Sequence, residues 1–149
     1  MPRPSRTLFT DAGGNVLNEV AANGAISTLA VFPNRPVALG PATIQMQSVP
    51  TTVVRGPDGW LYVGQLTGFP FPVGGAKVYR VPPEGGTPVE YAGNFTNIID
   101  IAFGPDGRLY TGVLSGAILR MNPDGSGLET LANTGGRPLG LDFDASGRL

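Results

Sequence analysis

The chain offers little conventional catalytic chemistry, because its 149 residues include no histidine and no cysteine. That removes the commonest general base, thiolate nucleophiles, thiolate metal sites and every Ser-His-Asp arrangement. Oxygen donors, guanidinium groups and apolar walls remain. Thr51, Thr52, Asn97, Asp100 and Arg137 are the polar candidates, since each enters or precedes a short strand that the repeat pattern places around a common axis. Phe69, Pro70, Phe71 and Pro72 form a rigid apolar stretch that, with Phe32, Arg35, Gln45 and Met46, would wall a pocket for a small molecule of unknown identity. The competing reading packs Phe69 and Phe71 on neighbouring elements or on a second copy. Glu19, Glu84, Glu90 and Glu129 map to outer strands or turns, so no carboxylate general base is expected inside a pocket and no catalytic residue is assigned.

The elements that must position these residues are announced by a recurring turn. Gly56-Pro57-Asp58-Gly59-Trp60-Leu61-Tyr62 returns as Gly104-Pro105-Asp106-Gly107-Arg108-Leu109-Tyr110, and a looser copy runs from Asp144 through Gly147 to Leu149. The periods, 104 − 56 = 48 from Gly56 to Gly104 and 143 − 103 = 40 from Phe103 to Phe143, mark stacked supersecondary units. Proline presets φ, aspartate bonds the backbone two residues on, and glycine takes the left-handed conformation, so these are tight turns. They lack the dense carboxylate spacing of calcium loops. Between the turns lie short runs of Val, Ile, Leu, Tyr and Thr, the pattern of antiparallel strands, and no segment reads as a helix.

Aligned on the turn, the second unit has strands at 51–55, 61–65, 77–81 and 89–92, and the third at 99–103, 109–114, 118–121 and 129–132. The first has three strands only, at 7–10, 16–20 and 26–31, and a lone strand at 139–143 follows the third unit. The expected fold is an all-β propeller of four-stranded antiparallel blades, three per chain, over a single domain of residues 1–149. Its blades are 7–31 with a strand at 139–143 from another copy, 51–92, and 99–132. Three blades cannot close a ring, whereas a homodimer gives six and leaves no open edge. A truncated polypeptide is the alternative. Leu66 to Gly75 and Phe32 to Ser48 interrupt the repeat, and both fall on the face where binding loops gather.

A net charge of −1 gives no electrostatic footprint for nucleic acid or an anionic membrane. No apolar run approaches the roughly 18 residues of a membrane span, and Met1 to Arg6 lacks the apolar stretch of a leader. The expectation is a protein that stays in the cytoplasm where it is made, with itself as the one expected partner.

Asp11 to Leu17, Ala30 to Arg35, Val49 to Gly75 and Gly93 to Phe103 resemble the ScyD/ScyE family of propellers across about residues 9–110. Tyr110 to Arg120, Asn122 to Thr130 and Gly135 to Asp142 are instead similar to strictosidine synthase-like and gluconolactonase-like propellers. The change falls at the shared turn Gly104 to Gly107, which implies a chimera, with divergence inside one superfamily as the alternative. The resemblance implies a six-bladed fold. Members of the first family are usually exported and have no established reaction to carry over. Gluconolactonase-like relatives hold a divalent cation at the channel mouth, which implies Ca²⁺ or a similar ion at Asn97 and Asp100 and a metal-dependent lactonase or hydrolase. Yet Ile99 stands where those relatives have Asn before Gly, and Asn97 and Asp100 also read as turn formers. The preferred expectation is a scaffold without cofactor.

Overall fold

The computed structural model describes residues 6–149, so the stretch read for a leader lies mostly outside the described residues. The described chain is all-β, with antiparallel sheets and no helix. Strands β1 (Thr7–Asp11), β2 (Val16–Val20) and β3 (Ile26–Val31) form one three-stranded sheet. A separate hairpin, β4 (Arg35–Leu39) and β5 (Ala42–Met46), follows. Two four-stranded meanders complete the chain. The first comprises β6 (Pro50–Arg55), β7 (Leu61–Gln65), β8 (Ala76–Val81) and β9 (Val89–Phe95). The second comprises β10 (Ile98–Phe103), β11 (Leu109–Val113), β12 (Ala117–Met121) and β13 (Glu129–Asn133).

The recurring turn works as one unit. Gly56 N–H bonds Trp60 O, Gly59 N–H bonds Gly56 O, and the pattern repeats at Gly104 to Arg108 and at Asp144 to Arg148. The Asp58 carboxylate accepts the Trp60 N–H and also the Tyr62 hydroxyl, at 2.9 Å; Asp106 does the same for Arg108 and Tyr110. To reach its aspartate the tyrosine ring lies over the first glycine, where an added Cβ would sit 2.4 Å from the Tyr62 ring at Gly56 and 2.6 Å from the Tyr110 ring at Gly104. Gly, Asp and Tyr are therefore coupled by contact and not only by turn geometry.

Sheets pack face to face through two apolar layers. Leu17, Ala30 and Phe32 meet Leu61, Val63, Tyr79 and Val81 in one. In the other, Tyr62, Val78 and Phe95 meet Ile98, Ile101, Leu109, Val113 and Met121. Alternation along β7 sends Leu61 and Val63 one way and Tyr62 the other, so this strand is buried on both faces, as is β11. The outer strand β13 is exposed along its whole length. Tyr62 packs edge-on to Phe103 and Tyr110 edge-on to Phe143, each at 4.9 Å between centroids, so one aromatic contact recurs at successive sheet junctions.

Two segments stand apart from the three repeat sheets. Residues 139–143 form no ladder within the chain: they lie beside β10 and β11, tied by Leu141 N–H to the Asp100 carboxylate at 2.7 Å and by Phe143 to Tyr110. No strand of the described residues pairs with them. The stretch read as an irregular insertion, Phe32 to Ser48, instead contains the β4–β5 hairpin; Pro36, Gly40 and Pro41 hid it.

Candidate functional site

The face bearing the two insertions is held by a hydrogen-bonded seam between them. Leu66 N–H bonds Val49 O, Thr67 N–H bonds Ser48 O and Gly68 N–H bonds Gln47 O. Gln65, fully buried at the end of β7, extends the seam with side-chain bonds: its Nε2 donates to Ser48 Oγ at 2.8 Å and Ser48 O at 3.1 Å. Its Oε1 accepts from the Arg35 guanidinium at 2.9 Å, and Arg35 also donates to Gly75 O at 2.5 Å. Arg35 has no carboxylate partner among the described residues. Sequence reasoning placed Arg35 in a pocket wall and did not find Gln65, because no local pattern separates a polar strand-end residue that bonds a distant loop from one that faces water.

Phe69 and Phe71 stand outside this seam. They are 60% and 50% exposed and meet each other edge-on at 6.4 Å, with Val73 beyond them 91% exposed. An open apolar groove of about 620 Å³ lies elsewhere, between β3 and the Gly86–Pro88 turn, lined by Leu29, Val31, Pro33 and Tyr79 among others.

The inner-strand candidates divide into two groups. Thr52, buried on β6, donates to Asp100 Oδ1 at 2.5 Å; the same oxygen accepts Ile101 N–H at 2.9 Å, and Oδ2 accepts Leu141 N–H. Thr51 Oγ1 donates to Ile98 O at 3.0 Å. These contacts stitch neighbouring inner segments together. Asn97 and Arg137 instead line a shallow depression of about 310 Å³ with Thr96, Leu114 and Ser115. Asn97 sits at φ 54°, and its carbonyl accepts Leu114 N–H, just as Val49 at φ 52° accepts Leu66 N–H one repeat earlier. Asn97 thus closes the turn before its inner strand. No group of three or more metal-ligating side chains occurs among the described residues.

Stacked four-stranded antiparallel sheets with inner strands stitched around one side define a β-propeller architecture. A strictosidine synthase-like, N-terminal family model matches residues 100–121. Among solved structures, the chain is similar to virginiamycin B lyase from Staphylococcus aureus, with TM-score 0.61 and 19% identity over 85% of this chain and 37% of that one. It is similar to the PQQ-bound aldose sugar dehydrogenase from Streptomyces coelicolor, with TM-score 0.56 and 22% identity over 84% and 43%. A protein of unknown function from Bacteroides caccae gives TM-score 0.58 and 16% identity over 95% and 47%. No curated protein matches. The chain therefore spans less than half the length of these three proteins, and at such identities the likeness concerns the fold.

Proposed function

We propose that the chain is a non-catalytic propeller scaffold that assembles with a second copy. Each copy supplies its segment 139–143 as the missing inner strand of the other's first blade, and two three-bladed chains make a six-bladed ring. One observation carries this reading: among the described residues the β1–β3 sheet has no inner strand, while 139–143 lies beside β10, where an inner strand would stand, with no strand paired to it. Open edges of this kind invite pairing, and mutual exchange removes both. On the same reading residues 9–110 are of ScyD/ScyE type, joined at the Gly104–Gly107 turn to a strictosidine synthase-like third.

The test is the solution mass by size exclusion with light scattering. Two chains support the reading, and a well-folded single chain overturns it. A divalent cation at Asn97 and Asp100, the rival reading, requires Ca²⁺ to raise the melting temperature, because a ligand that binds only the native state stabilises it by RT ln(1 + [L]/Kd). Against it, both Asp100 oxygens already accept hydrogen bonds within the protein.

A further inference from the structure

The repeat fixes how a second copy must sit on the open edge of β1, an inference that rests on the ring closure proposed above. Equivalent positions are marked by a β-bulge. Between third and fourth strands of each unit the ladder shifts after Leu17 in β2, Val78 in β8 and Ile118 in β12. Those residues pair with Thr10 on β1, Gly64 on β7 and Gly112 on β11, so these three hold one repeat position on their strands. Gly64 in turn pairs with Thr52 on β6, and Gly112 with Asp100 on β10, each just past a second bulge. Gly140 holds the same place in the next inner segment, since it stands three residues before Phe143 as Asp100 stands three before Phe103. Its position in space agrees: a Cβ on Gly140 would lie 3.7 Å from Asp100 Oδ2, beside the residue that itself bonds Thr52.

We infer that residues 139–143 of a second copy add antiparallel to β1 with Gly140 opposite Thr10, Leu141 opposite Phe9 and Phe143 opposite Thr7. Side-chain direction fits this register. Leu8 packs into the layer containing Leu17 and Leu61, so its neighbour Phe9 points to the other face of the sheet. Leu141 lies against Gly112 of its own chain, 3.5 Å from a Cβ built there. Residues directly opposite on antiparallel strands share a face, so the incoming Phe9 lands beside Leu141 on the donor's β10–β13 sheet. A one-residue slip would turn Phe9 away and drive Leu8 out of its own core. Leu149 and Thr7 share a repeat position, so Arg148 and Leu149 swing aside when the second β1 arrives.

The absence of cysteine makes the register directly readable. Phe9→Cys with Leu141→Cys in the full chain brings two thiols opposite one another, at a Cα separation of about 4.5–5.5 Å that suits a disulfide. Thr7→Cys with Phe143→Cys is a second in-register pair that covers the case of a misfolded first variant, and Leu8→Cys with Leu141→Cys is the slipped control. After mild oxidation, a non-reducing denaturing gel is expected to show covalent dimer as the main band for the in-register pairs and several-fold less for the control. Light scattering on the unsubstituted protein reads closure separately. A two-chain mass with neither in-register pair cross-linking, or with the control cross-linking best, overturns the register and leaves the closure standing. A one-chain mass overturns both.

Discussion

The Thr52 hydroxyl and the Asp100 carboxylate, one repeat apart in sequence, meet at 2.5 Å across two neighbouring inner strands. Asp100 also accepts from its own strand at Ile101 N–H and from the following segment at Leu141 N–H, so a single side chain ties three successive inner segments. Asp100→Ala leaves a buried hydroxyl and two backbone donors, Ile101 N–H and Leu141 N–H, without this partner, and the expected loss is about 2–3 kcal/mol of stability in urea unfolding. Thr52→Val is expected to cost about 1 kcal/mol, and less than that in the Asp100→Ala background, because the two residues share one bond.

Gly64 and Gly112 share a repeat position and differ in what covers them. A Cβ at Gly64 would lie 2.7 Å from Ile98 Cγ2 and 3.0 Å from Thr52 Cγ2, whereas at Gly112 the nearest atoms, on Leu141 and Pro138, are at 3.5 Å. Gly64→Ala is expected to destabilise by about 1–3 kcal/mol through overpacking. Gly112→Ala is expected to stay within about 0.5 kcal/mol of the parent. Thermal unfolding of the pair checks the contrast.

Val49 is a β-branched residue at φ 52° in the turn before β6, where the next repeat has Asn97 at φ 54°. The left-handed region costs an ordinary L-residue roughly 1–2 kcal/mol, and asparagine tolerates it better. Val49→Asn is expected to raise the melting temperature, reflecting a gain of about 0.5–1 kcal/mol, and a lower melting temperature would show that packing of the valine outweighs its strain.

Alkaline pH should unfold the protein through its buried tyrosines. Burial first, and then the hydrogen bond to Asp58, push the Tyr62 hydroxyl up to about 12, and burial raises Tyr79 and Tyr91 as well. In the unfolded chain a tyrosine ionises near pH 10. Above that pH the unfolded state binds fewer protons than the folded one, so stability present below about pH 10 declines as pH rises towards 12. Stability measured at intervals from pH 8 to 12 should be level and then fall, with a shallower fall for Tyr62→Phe.

What was legible in the sequence was whatever repeats. The Gly-Pro-Asp-Gly turns and the alternating runs between them mark antiparallel strands because turn chemistry and strand periodicity are local properties. The β4–β5 hairpin was not legible: Arg35 to Leu39 carries a proline, and its turn, Gly40-Pro41, resembles loop composition. The bulge before Asp100 was hidden for a different reason, since a register shift depends on the partner strand and leaves no mark on either strand alone. The candidate site was legible only as a list of types. That Asp100 faces Thr52 and Leu141, and that Gln65 bonds Ser48 and Arg35, depends on how distant segments come together.

The strongest such dependence is at Gln65, which holds the β4–β5 hairpin to the body of the fold. Fully buried, it satisfies Ser48 through its amide nitrogen and Arg35 through its amide oxygen. Gln65→Leu keeps the volume and removes both functions, so the Ser48 hydroxyl loses its partner, the Ser48 carbonyl keeps only Thr67 N–H, and Arg35 keeps only Gly75 O. Losing these bonds at buried or partly buried groups is expected to cost about 1–3 kcal/mol in total. The cost should appear locally, because the hairpin forms its own two-stranded sheet and can detach without unravelling β6–β9. Hydrogen exchange is therefore expected to accelerate in residues 35–48 of the variant while β7 and β11 stay protected. Equal acceleration across all strands would mean that the Gln65 contacts support the whole fold rather than the hairpin.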